Sequence, residues 1–206
     1  MEEDRKKIID HSLETFLREG FYKTKVDDIA SQLRISKKTI YKHFSTKEDL
    51  VKEVTYGFFN SNRQALQKIM GTKSNAVTKL YEMFKFIGGI ISKIHEKFLV
   101  DVQTQMPDLW KEIDAFRTKM MTTNIGKIFE QGKSEGFFID KPSPIIINVF
   151  ISSIRGATSF EFIMNNKFSL KTAVEETIGI LMNGIMTEKG KKAFKLLKSE
   201  QTNESN

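Results

Sequence analysis

Residues 36–50, SKKTIYKHFSTKEDL, combine an apolar stripe with a cluster of cations. Ile40 and Phe44 lie four residues apart, so on a helix with about 100° per residue they share one face. Lys38 and Lys42 then point almost directly away from that face. We therefore predict a short helix that packs through one side and leaves a basic side free. A solvated charged surface is the simplest interpretation of the free side, and a surface that binds a polyanion is the alternative.

The composition excludes several classes of protein. The chain has 206 residues, of which 39% are hydrophobic, and no cysteine, so disulfides, thiol catalysis and cysteine-bound zinc are excluded. The longest apolar run, IIINVFI at 145–151, is far shorter than the roughly 18 residues of a membrane span. The charged N-terminus lacks the apolar core of a signal peptide. We expect a soluble cytoplasmic protein.

Apolar residues recur at three- and four-residue spacing, which is typical of α-helices. With only three prolines in the chain, we predict an all-α fold of about nine helices. Gly20 ends the first helix, and Thr24 and Ser36 cap the second and third. A capping box at Ser45-Thr46-Lys47-Glu48 opens the long fourth helix. The predicted ranges are 3–19, 26–33, 37–44, 46–70, 75–97, one helix on each side of Pro107, 145–166 and 170–187.

The second and third helices have a helix-turn-helix spacing. Only residues 34–36, RIS, separate them, which forces a sharp angle between the helices. Between 20 and 47 the chain carries seven lysine and arginine residues against two aspartates, which is +5 of its net +7. DNA is a matching partner, because lysines that neutralise phosphates release condensed counterions. A helix also fits the major groove, where lysine and threonine reach base edges.

Residues 21–50 resemble the DNA-binding domain of the TetR/AcrR family of bacterial transcriptional regulators. The matching positions are Gly20-Phe21, Thr24, Ile29-Ala30, Ser36, Tyr41, His43-Phe44 and Lys47. There are two departures. Lys25 stands where a second threonine is usual, and Leu33-Arg34 replace the small residue and glycine of the turn. Because a left-handed conformation strains a residue other than glycine, either the turn geometry differs or the strain is tolerated.

The resemblance implies roles for individual residues. Base contacts are expected from Lys37, Lys38, Thr39 and Tyr41. Phosphate contacts are expected from Thr24, Lys25, Ser36, Lys42, His43 and Lys47. Lys47 would join the backbone N–H groups of a helix N-terminus at a phosphate. His43 has packing and capping as an alternative role.

Three regions follow from this resemblance and the helix pattern. Residues 1–50 are predicted to form the helix-turn-helix domain, which the fourth helix connects to a larger domain at 71–190. By resemblance, the larger domain binds an effector and forms the dimer. Residues 191–206 are predicted to be a basic and polar tail whose last residues are disordered.

No group of residues predicts catalysis. The three histidines lie far apart in the sequence and lack metal-ligand spacing. Adjacent acidic pairs such as Glu175-Glu176 point about 100° apart on a helix, so they cannot share a site as acid and base. We expect neither enzymatic activity nor a metal or other cofactor.

Methionine and aromatic residues in the larger domain are candidates for the effector pocket implied by the resemblance. They are interrupted by polar groups that could orient a ligand, and plain core packing is the alternative for each apolar one. A buried Arg155 would need an anionic partner, either Glu161 or an acidic ligand. The candidates are Met83, Phe86, Gln103, Met106, Trp110, Met120, Asn124 and Arg155.

A homodimer is expected, because one recognition helix buries too little surface to select an operator and this class binds palindromes as dimers. By resemblance, the last two predicted helices pair with their copies. Small residues that allow close approach are Gly156, Ser159, Gly179 and Gly184. Relief of crowding inside one subunit is the alternative for the glycines.

The sequence thus predicts a transcriptional regulator, expected to be a repressor that a small-molecule effector releases from a palindromic operator. Two alternatives remain open. One is a DNA-organising protein of the same fold that takes no effector. The other is a helical carrier of lipid-like ligands without specific DNA binding.

Overall fold

The computed structural model describes residues 2–166 and 169–204, and these residues form eleven α-helices without a β-strand. The all-α prediction is confirmed. The helices are α1 (Glu2–Glu19), α2 (Val26–Gln32), α3 (Lys37–His43), α4 (Lys47–Met70), α5 (Ala76–Ile91), α6 (Glu96–Gln105), α7 (Pro107–Ser134), α8 (Ser143–Ala157), α9 (Phe160–Asn165), α10 (Leu170–Ile185) and α11 (Glu188–Glu204).

One predicted helix ends earlier than expected, and another is broken into a pair. The range 75–97 contains α5 and the start of α6, whose N-cap His95 accepts a hydrogen bond at Nδ1 from the Lys97 N–H at 3.2 Å. The range 145–166 contains α8 and α9. Between these two helices the Ser159 hydroxyl accepts from the Phe162 N–H at 3.3 Å and so starts α9. Side-chain caps therefore explain both breaks.

The predicted end of the helical part near residue 187 is wrong, because residues 188–204 form one more helix, α11. Ala193 and Phe194 pack against the buried apolar cluster of the C-terminal helices. The Phe194 ring lies 5.8 Å from the Tyr81 ring of α5 in an edge-on contact. This apolar side holds the helix in place although its sequence is mostly polar. The last two residues of the predicted tail, Ser205 and Asn206, lie outside the described residues.

The chain divides into two compact units. Unit 1 comprises Met1–Ala65 and Ser92–Ile113, and unit 2 comprises Leu66–Ile91 and Asp114–Asn206. Residues 92–113 thus pack with the N-terminal helices, although the sequence placed them in the larger C-terminal region. The functional division at 1–50, 71–190 and 191–206 remains a prediction.

Unit 1 has its own hydrophobic core, to which α1 to α4 and α6 contribute. Phe16 of α1, Ile29 of α2, Ile40 of α3 and Leu50 of α4 are almost completely buried in it, as is Val102 of α6. Each such side chain contributes about 1.5–3 kcal/mol through removal from water. The short helices α2 and α3, which would be marginal alone, are held by this packing.

Unit 2 has a second core. Most of its buried residues come from α5, α7, α8 and α10, with Leu80, Ile128, Phe150 and Met182 among them. The Phe84 and Phe150 rings are stacked with centres 6.2 Å apart. Among the described helices, none is both long enough and apolar enough to cross a membrane.

Candidate nucleic-acid interface

The turn between α2 and α3 keeps a left-handed residue without a glycine. Arg34 has φ of +55°. The flanking backbone bonds run from the Leu33 N–H to the Ile29 carbonyl and from the Ile35 N–H to the Ala30 carbonyl, each at 3.0 Å. The sequence left open a different turn geometry or a tolerated strain, and the structure has the strained turn. The turn places Arg34 in the left-handed region, at a cost of about 1–2 kcal/mol.

Helix α3 is fixed at both ends and along its inner side. The Ser36 hydroxyl accepts a hydrogen bond from the Thr39 N–H at 3.1 Å, which confirms Ser36 as the N-cap. Ile40 and Phe44 are buried as predicted. The Arg5 guanidinium of α1 lies 5.4 Å from the centre of the Phe44 ring. The side chains that fix the orientation of α3 therefore lie at its ends and on its inner face, and its outer face takes no part in this packing.

The outer face of α3 is basic and exposed. Lys38 and Lys42 are exposed, and Tyr41 keeps 41% of its surface accessible although it is a large aromatic residue. The basic side of α3, which the helical spacing predicted to face away from the core, is therefore exposed in unit 1. Cations beside an aromatic ring suit phosphates and base edges.

Lys37, a predicted base contact, already has a partner in the protein. Its ammonium group donates to Asp27 of α2 at 2.8 Å. This hydrogen bond raises the pKa of Lys37, with the charge of the same aspartate as the second cause. Both groups are solvent-exposed, so the ion pair is weak. Lys37 must exchange Asp27 for DNA if it contacts a base.

Thr24 does not cap α2, which corrects the prediction. Its hydroxyl donates instead to the Gly20 carbonyl at 2.8 Å, and the residue is buried. The N-cap is Lys25, whose N–H donates to the Asp28 carboxylate at 3.3 Å. Lys25 is exposed beside the start of α2. The expected phosphate contact of Thr24 would require its hydroxyl to leave Gly20.

The capping box of α4 begins one residue later than predicted. The Thr46 hydroxyl accepts from the Asp49 N–H at 3.0 Å, and the Asp49 carboxylate accepts from the Thr46 N–H at 3.1 Å. This register puts Leu50 in the core. Lys47 is the first residue of the helix, and its ammonium group donates to the Tyr22 carbonyl at 3.1 Å. Partial burial lowers the pKa of Lys47.

The remaining predicted DNA contacts lie on or beside α3. The Ser36 and Thr39 hydroxyls are 2.8 Å apart and share a hydrogen bond. His43 is half-buried, and its ring centre lies 6.4 Å from that of Phe44. These contacts are consistent with a packing role for His43 and do not test a phosphate contact.

The predicted effector residues are divided between the two units. Gln103, Met106 and Trp110 belong to unit 1, where Met106 and Trp110 pack against the core. The other five belong to unit 2. Of these, Met83 is buried in the core, and Phe86 and Met120 pack against it. Unit 1 also has an open groove of about 580 Å³ beside α1, and none of its lining residues is in the predicted set.

Arg155 is exposed rather than buried, and its partner is Asp114 rather than Glu161. The guanidinium donates to the two carboxylate oxygens at 3.1 and 2.6 Å and to the Thr118 hydroxyl at 2.9 Å. The expected need for an acidic ligand is therefore wrong, because Asp114 supplies the anion. The i, i+4 spacing of Asp114 and Thr118 on α7 is the sequence signal that was missed.

Arg117, which the sequence did not single out, is more deeply placed than Arg155. Burial lowers its pKa, which the charge of Asp114 partly offsets. Its guanidinium lies 3.5 Å from the Thr158 hydroxyl. Asp114, Arg117 and Arg155 thus form a partly exposed charged cluster in unit 2.

The glycines expected at a dimer interface are exposed on α8 and α10. Apart from the backbone of its own helix, a Cβ atom built on Gly156, Gly179 or Gly184 would meet no described atom within 4 Å. Crowding within the described protomer therefore does not require these glycines. On the same two helices Ile145 is exposed, as is Ile180 with 72% of its surface accessible. Ser159 caps α9, so a local role accounts for it.

Comparison with known proteins agrees with this geometry. Residues 8–54 match the family model described as bacterial regulatory proteins, tetR family. An uncharacterised HTH-type transcriptional regulator of Bacillus subtilis, YvaF, is 23% identical over 89% of this chain and 96% of its own length. The Staphylococcus aureus protein IcaR, a negative regulator of the biofilm operon icaADBC, is 24% identical over 62% of this chain and 70% of its own.

A similar fold occurs in a solved structure. A transcriptional regulator from Saccharomonospora viridis, determined in complex with choline, superposes with a TM-score of 0.74. It is 18% identical and aligns with 91% of this chain and 100% of its own. The family match and the sequence relatives support a helix-turn-helix DNA-binding transcriptional regulator. Within this chain, residues 8–54 match the tetR family of bacterial regulatory proteins, which agrees with the resemblance seen in the sequence. Proteins of this family are regulators and are generally not enzymes.

Proposed function

We propose that the protein is a dimeric repressor that binds a palindromic operator and is released by a small molecule. The observation that carries the DNA part is the outer face of α3. Its inner residues Ile40 and Phe44 are buried, while Lys38, Tyr41 and Lys42 are exposed. Because the DNA of bacteria lies in the cytoplasm, and the matched family is one of bacterial regulators, we propose that location as well.

Repression is supported by the description of IcaR as a negative regulator. A dimer is supported by the exposed apolar and glycine positions of α8 and α10. Ile145, Val149 and Ile180 would otherwise stay in water, and the bare backbone at Gly156 and Gly179 permits close approach of a second copy. A two-fold pair of α3 helices would read two half-sites about one helical turn apart.

A small-molecule effector is supported by the choline complex of the related structure. At 18% identity the two proteins share the fold, so choline does not carry over to this chain as its effector. Asp114 neutralises Arg155, so Arg155 gives no reason to favour an acidic effector. Asn124, which is half-buried on α7, remains a candidate for orienting a ligand.

Selection of bound sequences from a random pool of DNA duplexes, at near-physiological salt, tests the proposal. The expected result is a palindrome with half-sites about one helical turn apart. No preferred sequence would contradict it and favour the lipid-carrier alternative. If a palindrome is found, a metabolite screen for loss of binding separates an effector-controlled repressor from a DNA-organising protein of the same fold.

A further inference from the structure

We infer, on the basis of the proposed DNA binding, that Asp101 of α6 is a positioning residue for the DNA-reading head. Asp101 lies far from the helix-turn-helix in sequence and carries a charge that repels DNA. Nevertheless, its carboxylate accepts a hydrogen bond at 2.8 Å from the backbone N–H of Tyr22, in the connection between α1 and α2. A carboxylate that accepts from a backbone N–H makes a charge-assisted bond, which is stronger than a neutral one.

Tyr22 is held on its other side by a cation. The Lys47 ammonium group donates to the Tyr22 carbonyl at 3.1 Å. The N–H and the C=O of one residue are thus bound by Asp101 of α6 and Lys47 of α4. We call these two hydrogen bonds the Tyr22 clamp. Because Lys47 is a predicted phosphate contact, the clamp positions that contact as well as Tyr22.

The chain around Tyr22 is shaped to receive Asp101. Gly20 has φ of +80°, a conformation that favours glycine. A Cβ atom at Gly20 would also collide with the Asp101 carboxylate. The backbone conformation therefore favours glycine at this position, and a larger residue would push the Asp101 carboxylate out of its present place.

Helix α6 supports the same connection at two further points. The His95 N–H donates to the Leu17 carbonyl at the end of α1, at 2.7 Å. The Phe98 ring packs edge-on against the Phe21 ring with centres 6.3 Å apart. Helix α6 therefore contacts residues 17–22 at three successive points, and Asp101 supplies the charged one.

Residues 22–25 lead directly into α2 and carry two exposed lysines, Lys23 and Lys25. Fixing Tyr22 fixes where these lysines lie relative to Lys47 and to the start of α2. Binding to rigid, correctly placed cations avoids the cost of ordering them when DNA binds. The clamp would thus raise affinity even though Asp101 is itself negative.

The sign of the effect distinguishes positioning from simple electrostatics. If Asp101 acted only through its charge, its removal would reduce repulsion and tighten DNA binding. Positioning predicts the reverse for Asp101→Ala, which loses the bond to Tyr22. Asp101→Asn keeps an oxygen that can accept from the Tyr22 N–H, so it should restore most of the affinity.

The experiment measures the Kd of the full-length protein for a selected operator by fluorescence anisotropy, at fixed salt and well below the melting temperature of each variant. We expect Asp101→Ala to weaken binding about tenfold, as for loss of a charge-assisted hydrogen bond. Asp101→Asn should stay within about threefold of wild type. Asp108→Ala, which removes an exposed carboxylate of unit 1 that pairs with Lys111 of the same helix, is the control and should bind as wild type.

If Asp101→Ala is unfolded at the assay temperature, Asp101→Ser replaces it, because a serine hydroxyl is too short to reach the Tyr22 amide. Tighter or unchanged binding by the Ala or Ser variant would overturn the inference, as would an Asn variant as weak as Ala. These results presuppose specific binding by the wild-type protein. If the wild type shows no sequence preference, the proposed function fails and this inference fails with it.

Discussion

Replacement of Arg34 by glycine should stabilise the protein, because Arg34 is held in a left-handed conformation at φ +55°. A residue other than glycine pays about 1–2 kcal/mol there. Glycine gives back about 0.4–1 kcal/mol, because its unfolded chain is more flexible. The expected net gain in the free energy of unfolding is about 0.5–1 kcal/mol.

Arg34→Ala is the matched control. It removes the same exposed side chain but leaves the residue strained, so its stability should remain close to that of wild type. Urea unfolding at one fixed protein concentration measures both variants, since a dimer's stability depends on concentration. A glycine variant no more stable than the alanine variant would refute the assigned strain. The two variants should lose the same DNA affinity, because both lose one cation.

Three further changes test other parts of the account. Asp27→Asn should tighten operator binding several-fold in an anisotropy titration, because it frees Lys37 and removes a negative charge; weaker binding would contradict this. Gly179→Leu should give a folded monomer in sedimentation, whereas Gly57→Leu, at another open helical glycine, should remain a dimer; an intact dimer in both would exclude this interface. Lys47→Ala should reduce the slope of log K against log salt by about one unit, and an unchanged slope would exclude a phosphate contact.

Much of the helix-turn-helix could be predicted from the sequence because local signals decide it. The inward positions Ile40 and Phe44 follow from helical spacing, and the Ser36 cap follows from residue type. The turn at Arg34 was harder, since strain and altered geometry fit the sequence equally. Only the backbone conformation separates them.

Other features depend on contacts between distant parts of the chain and could not be read locally. Helix α11 looked like a polar tail because its stabilising contact is to Tyr81, more than a hundred residues away in the sequence. Asp101 carries no motif, and its role depends on Tyr22 and Gly20. Arg155 lies on the exposed side of its helix, and its partner Asp114 stands 41 residues away in the sequence, so the pair has no local signal.

A single binding measurement with two double variants tests whether the outer face of α3 reads DNA. Wild type and a Lys38→Ala/Tyr41→Ala variant are titrated with the selected operator and with a scrambled duplex. A variant at two exposed lysines of α11, Lys192→Ala/Lys195→Ala, is the control. We predict that the α3 variant loses the preference for the operator and that the control retains it. Equal operator preference in all three proteins would contradict the assignment of this face.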